Sequence, residues 1–197
     1  AVAIDTAKMH KIILERQTLD RDLKLAKVVQ ESFLPKSLPQ IDNYTFEAVM
    51  EPALEIGGDF YNFFYLPANK IGIVLGDVSG KGVSAALFMA RLSSDLQYYT
   101  LLYPDPGELL SQINNVLCER AKQGMFVTLV YMLLDTNENR LTISNAGHLS
   151  PGFSDQDGAW LMEDNRIKGP ALGVIPDVDY KKKTYKIEPG EGITLYT

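Results

Sequence analysis

The sequence predicts an α+β chain built on antiparallel sheets. Three observations carry this: apolar spacing of three and four residues over 6–34, a change to alternation after Pro35, and two helical stretches grouped between hairpin-joined strands. A parallel βαβ fold would alternate helices with strands throughout, and this chain does not.

Residues 6–34 read as one long helix ending at Leu34, because Pro35 disfavours helical geometry in the residue before it. Met9, Ile12, Leu19, Leu23, Ala26 and Phe33 form a seam, Arg16 and Gln30 interrupt it, and charged residues fill the other faces. Such a seam suits a coiled-coil linker and equally an amphipathic helix lying on its own domain; the stretch 28–33 is expected to dock on the domain. Residues 35–43 read as a turn-rich hinge. The expected division is a linker helix over 1–34 and a folded domain over 35–197.

Past the hinge, 44–51 alternates as a strand does. Residues 59–66 and 70–78 form two strands joined by Pro67-Ala68-Asn69, a hairpin signal. A helix over 83–102 buries Ala85, Phe88, Met89, Leu92, Leu96 and Tyr99, and Pro104-Asp105-Pro106 ends it. A second helix, 107–122, turns Leu109, Leu110, Ile113, Val116 and Leu117 inward. Further strands are expected at 125–135, 140–145, 152–153, 159–163, 180–187 and 193–197, with turn signals between them.

Of 197 residues, 46% are hydrophobic and 22% charged, enough for one sizeable core plus an appendage. A net charge of −6 argues against electrostatic binding of nucleic acid, which needs clustered Lys and Arg. Lys181-Lys182-Lys183 sits among β-forming residues and reads as a solvated strand edge. One cysteine, Cys118, excludes an internal disulfide and fits a reducing cytoplasm; inside a helix with no motif around it, it is not a nucleophile. No apolar run approaches the roughly 18 residues of a membrane span, and no signal-peptide pattern opens the chain. Ending inside an apparent strand, the chain is expected to be an excerpt of a longer protein.

The chemistry concentrates in Glu55-Ile-Gly-Gly-Asp-Phe-Tyr61 and Gly76-Asp-Val-Ser-Gly-Lys-Gly82. If Pro67-Ala68-Asn69 is the hairpin loop, Leu66 faces Lys70, and counting back sets Asp59 opposite Asp77. Asp59, Tyr61, Phe63 and Tyr65 then share a face with Ile71, Ile73, Leu75 and Asp77. Facing carboxylates repel, and at the end of an apolar strand pair they need a shared proton or a cation. Oxygen ligands without nearby His or Cys suit Mg²⁺ or Mn²⁺ better than Zn²⁺. Gly57-Gly58 permits close approach, and Gly76, Gly80 and Gly82 permit a tight turn into the helix at Val83, whose N-terminus suits an anion such as phosphate. A metal pair beside a phosphate pocket implies hydrolysis by activated water. The opposing structural reading has Asp77 or Ser79 capping the turn and the helix start. A Walker A loop is excluded, because Gly82 follows Lys81 where Ser or Thr belongs.

These two segments, with Ser144-Asn-Ala-Gly-His-Leu-Ser-Pro151 and Gly169-Pro-Ala-Leu-Gly-Val174 in that order, closely resemble the SpoIIE-type branch of the PPM metal-dependent serine/threonine protein phosphatases. The resemblance covers roughly residues 25–197. It implies an αββα sandwich holding two Mn²⁺ or Mg²⁺ ions, with Asp77 bridging both, the Val78 carbonyl binding one, and Asp59 holding the second. The implied reaction is direct hydrolysis of phosphoserine or phosphothreonine by activated water, with no phosphoenzyme. The implied substrate is a STAS-type anti-anti-sigma protein of bacterial signalling, and the implied companions are an upstream sensor or receiver domain and a second copy of the chain. Two departures matter. Asn62 stands where the family usually has aspartate, so position 62 is given no metal role. Residues 193–197 resemble the strand before the family's Asp-Gly metal motif, so the further acidic ligands are expected beyond Thr197.

Among other candidates, His148 lies in a turn, where a structural hydrogen bond competes with a general-acid role. Lys81 divides between phosphate contact and a solvated loop, and Trp160 is expected to pack. Two competing functions stand beside the phosphatase: a non-catalytic pseudophosphatase or dimerising regulatory module, and a two-metal nuclease, which the acidic charge disfavours.

Overall fold

The computed structural model describes residues 2–51, 55–120, 124–155, 158, 160–162 and 165–197. It opens on α1 (Val2–Glu31), which tightens at its end: the amides of Ser32, Phe33 and Leu34 donate to carbonyls three residues back. There follow β1 (Phe60–Leu66), β2 (Lys70–Val78), α2 (Val83–Leu102), α3 (Pro106–Arg120), β3 (Val127–Asp135) and β4 (Arg140–Ala146). The chain then forms β5 (Gly152–Ser154), β6 (Trp160–Met162), a 3₁₀ turn (Asn165–Ile167), β7 (Lys168–Gly169), β8 (Lys182–Lys186) and β9 (Gly192–Thr194). No described helix is long and apolar enough to cross a membrane.

Strands β1 to β4 lie side by side in sequence order, each pair antiparallel. The far edge of β4 is shared by β8, antiparallel, and by the two residues of β7, which run parallel to it. A second sheet has the order β6-β5-β9. Alternation sorts the larger sheet into two apolar faces. Phe60, Phe64, Val74 and Val78 pack with Ala85, Met89, Leu92 and Leu96 of α2 and with Leu109, Leu110, Ile113 and Leu117 of α3. The opposite face gathers Ile71, Val130, Met132, Leu141 and Ile143, against which Phe153, Ile193 and Leu195 pack from the smaller sheet. Helices on one face and a second sheet on the other make the expected α+β sandwich.

Several expected elements differ. Residues 44–51 form no strand: only an isolated bridge joins Ile41 to Tyr44, and Val49 is 88% exposed. Alternation there serves packing without pairing, as Phe46 sets its ring edge-on to Phe63 at 5.7 Å. β8 begins at Lys182, because Tyr180 turns inward and donates its hydroxyl to the Pro170 carbonyl. β9 ends at Thr194, although Leu195 still reaches the core. The end of the linker helix docks along the expected seam: Leu23 and Ala26 are half-buried, Gln30 is buried, and Phe33 and Leu34 pack on the core, while Val28 and Val29, within the stretch expected to dock, face away and are exposed. Residues 121–122, 159 and 163, at the ends of an expected helix and strand, lie outside the described residues, as does the expected packing of the Trp160 side chain.

Candidate metal centre

Strand β1 pairs with β2 from Leu66↔Lys70 to Phe60↔Gly76, the register that the three-residue loop implies. The ladder continues beyond the named strands, since the Val78 amide donates to the Gly58 carbonyl at 3.3 Å. Asp59 therefore falls opposite Asp77. Their side chains meet in a hydrogen bond, and the Asp59 carboxyl is held above the usual carboxylate range, first by burial, then by the negative charge of Asp77 and that shared bond. Two adjacent carboxylates resist ionising together, which is the direction of this shift. A divalent cation between them would oppose it.

The backbone around the pair is shaped by two glycines. A Cβ at Gly58 would lie 2.6 Å from the Val78 carbonyl oxygen and 3.3 Å from Asp77 Oδ1, so these two oxygens converge beside residue 58. A side chain there would displace one of them. Gly76, expected to ease the turn into α2, instead lies within β2, where the Phe60 ring occupies the space its Cβ would fill. The turn falls to Gly80 (φ 97°) and Gly82 (φ 72°), left-handed positions that glycine adopts without strain.

α2 starts with no side-chain cap. Ser79, the candidate cap, instead joins the neighbouring loop: its hydroxyl accepts the Phe126 amide at 2.9 Å, and its own amide donates to the Phe126 carbonyl. Lys81 is exposed in this turn. Asn62 points to the helical face, with Nδ2 within 3.4 Å of the Phe33 carbonyl and its Oδ1 accepting the Phe63 amide, away from the carboxylates.

Two neighbours escaped the sequence reading. The Gln30 side chain, buried at the end of α1, donates to the Gly57 carbonyl and accepts the Gly57 amide, gripping the backbone two residues before Asp59. The signal was present: Gln30 is a polar residue on an otherwise apolar seam. The second is Thr128, the β3 partner of Asp77. Its hydroxyl lies 2.8 Å from Nδ1 of His148, whose Nε2 lies 3.2 Å from the Tyr196 carbonyl. His148 is 3% exposed and has both ring nitrogens engaged, which fits the structural reading of this histidine. Burial holds its pKa down, against the Tyr196 bond and the charge of Asp77, while Lys168 lowers it further.

The oxygens gathered here come from two carboxylates and one main-chain carbonyl, hard donors of the kind that Mg²⁺ or Mn²⁺ take. Among the described residues, no group of three or more His, Cys, Asp or Glu side chains gathers.

Known proteins share the chain's sequence pattern and its fold. Residues 67–197 match the family profile of stage II sporulation protein E (SpoIIE), and the chain belongs to that family. It is 30% identical to the phosphoserine phosphatase RsbU of Bacillus subtilis over 184 residues, covering 92% of this chain and 54% of RsbU. It is 31% identical to protein IcfG of Synechocystis over 204 residues, covering 89% of this chain and 32% of that protein. The chain thus spans about a third to a half of these relatives. Among solved structures, the SiaA PP2C domain of Pseudomonas aeruginosa superposes with a TM-score of 0.77 over 91% of this chain and 71% of its own, at 18% identity.

Proposed function

We propose that residues 35–197 form a metal-dependent protein-serine/threonine phosphatase domain with Asp59 and Asp77 in its metal site, and that 1–34 is its linker helix. The carrying observation is that Asp59 and Asp77 face each other across β1 and β2, beside the Val78 carbonyl, an arrangement of oxygens that a cation would reconcile. Asp77 would bridge two Mn²⁺ or Mg²⁺ ions, Asp59 would hold one, and the Val78 carbonyl would complete the set. Bound divalent cations supply charge neutralisation and an activated water for in-line hydrolysis. The chain's own residues position that chemistry. Gly58 lets the Val78 and Asp77 oxygens converge, Gln30 fixes the loop before Asp59, and the uncapped start of α2 leaves amides free for phosphoryl oxygens.

The phosphoserine phosphatase RsbU supports phosphoserine as the substrate group. We assign as substrate a phosphorylated regulatory protein of the STAS type, and a cytoplasmic setting. Dimerisation through α1 accords with its exposed seam: Met9, Ile12 and Leu19 stand 60%, 58% and 58% exposed with no partner on this chain. An upstream sensor or receiver domain would act through the same helix.

The deciding experiment measures Mn²⁺-dependent phosphate release from a phosphoserine STAS protein by the full-length protein. Release is expected, and Asp77→Asn is expected to abolish it; activity retained in that variant sinks the mechanism. The competing reading, a non-catalytic module, draws on the absence of a third grouped acidic side chain among the described residues. Mn²⁺ binding with no phosphate release would favour it. Sedimentation of a version starting at Pro35 tests the dimer: an oligomeric state unchanged by removing α1 counts against it.

A further inference from the structure

The turn after β4 is built more tightly than a connection requires. The Asn145 side chain accepts the His148 amide at 2.8 Å and donates to the His148 carbonyl at 3.3 Å, closing the turn on itself. Gly147 has φ 74°, and a Cβ there would lie 2.9 Å from the Ala171 amide nitrogen, so only glycine fits. The effect is to fix one imidazole. A carbonyl can only accept, so Nε2 must carry the proton it offers to Tyr196, which leaves Nδ1 to accept from the Thr128 hydroxyl. Thr128 and Asp77 are directly paired across β2 and β3, so their side chains share the face turned to the smaller sheet. Tyr196 lies two residues past β9 of that smaller sheet.

We infer that His148 is a positioning residue: its imidazole joins the Thr128 hydroxyl to the Tyr196 carbonyl and sets the spacing of the two sheets beside Asp77. The functional consequence rests on the metal reading of the Asp59–Asp77 pair. Cores packed face to face tolerate small slides, but a two-ended hydrogen-bond strut through a rigid ring does not stretch. A shift of one sheet at this end would move the cross-strand neighbour of Asp77. His148 thus acts through Thr128 and touches no reacting atom, and the proton on Nε2 stays committed to a carbonyl.

Long-range ¹H–¹⁵N spectra of the full-length protein read the tautomer directly, without metal or substrate. Nε2 protonated with Nδ1 bare near neutral pH is expected, and the opposite tautomer or an imidazolium overturns the inference. His148→Gln and Thr128→Val are each expected to weaken Mn²⁺ binding about tenfold, the lower end of effects from groups behind metal ligands, as read by calorimetry without substrate. The double variant should lose no more than either single one, since both cut the same strut. Additive losses, an unchanged Mn²⁺ affinity, or a fall confined to kcat at saturating Mn²⁺ each overturn the inference. Wild-type protein that binds Mn²⁺ but releases no phosphate overturns the phosphatase reading and leaves the strut standing. Wild-type protein that binds no Mn²⁺ overturns both.

Discussion

The two ends of the larger sheet treat their polar side chains in opposite ways. At the hairpin end, Asn69 donates to Asn137 at 3.0 Å, Asn137 donates to the Ala68 carbonyl, and Thr136 donates to the Asn69 carbonyl at 2.8 Å. Asp135 caps the β3–β4 turn by accepting the amides of Asn137 and Glu138, and its other oxygen pairs with Lys70 at 3.5 Å. Each of these acceptors meets a donor. At the other end, Asp59 and Asp77 present carboxylate to carboxylate, and the Asp59 carboxyl is held above the usual range by burial and by the charge of Asp77. Polar groups that satisfy one another hold turns; polar groups that cannot do so mark where something external belongs.

Measurements can break that contrast. If the carboxylate end awaits a cation, Mn²⁺ at about a hundred times its Kd should stabilise the protein by about 2.7 kcal/mol, and Asp77→Asn should remove the effect. Thermal melts with and without Mn²⁺ decide it, and a wild-type melt indifferent to the ion breaks the contrast outright. Gln30→Ala releases the backbone before Asp59 and should weaken Mn²⁺ binding about tenfold, with α1 still helical by circular dichroism; unchanged affinity would make the grip merely structural. His148 sharpens the comparison through pH. Burial holds its pKa below 6.5, so the unfolded chain takes up a proton that the folded chain refuses. Stability should therefore fall as pH drops below 6.5 and level off once the folded-state pKa is passed. Urea melts of His148→Gln should lack that component, whereas an unchanged slope would assign it elsewhere. At the hairpin end, Asn137→Ala should cost about 1 kcal/mol in urea unfolding and leave phosphate release untouched.

Local chemistry explains which features the sequence exposed. The β1–β2 register was legible because Pro67-Ala68-Asn69 fixes loop length, and loop length fixes which residue faces which; the facing aspartates followed by counting. The bounds of α2 were legible because glycines precede it and Pro104 follows it. The stretch 44–51 misled because alternation reports a half-buried surface and says nothing of whether a partner strand is present. Gln30, Thr128 and Tyr196 stayed hidden for a related reason. Each meets its partner across 20 or more residues of chain, and the motif letters around Asp59 and His148 carry no trace of those distant contacts.

The lysine-rich strand has a consequence of its own. Among the described strands β8 pairs only with β4, so Lys182-Lys183-Thr184-Tyr185-Lys186 lines an open edge. A second copy adding there antiparallel and in register would set Lys182 against Lys186 twice over; their ion-pair partners, Asp105 and Glu188, lie outside the strand and offset part of that charge. Like charges directly opposite are unfavourable, so self-templating along this edge is opposed from the first pairing step. In solution terms, such a strand would disfavour the growth of copies of the domain into a continuous sheet.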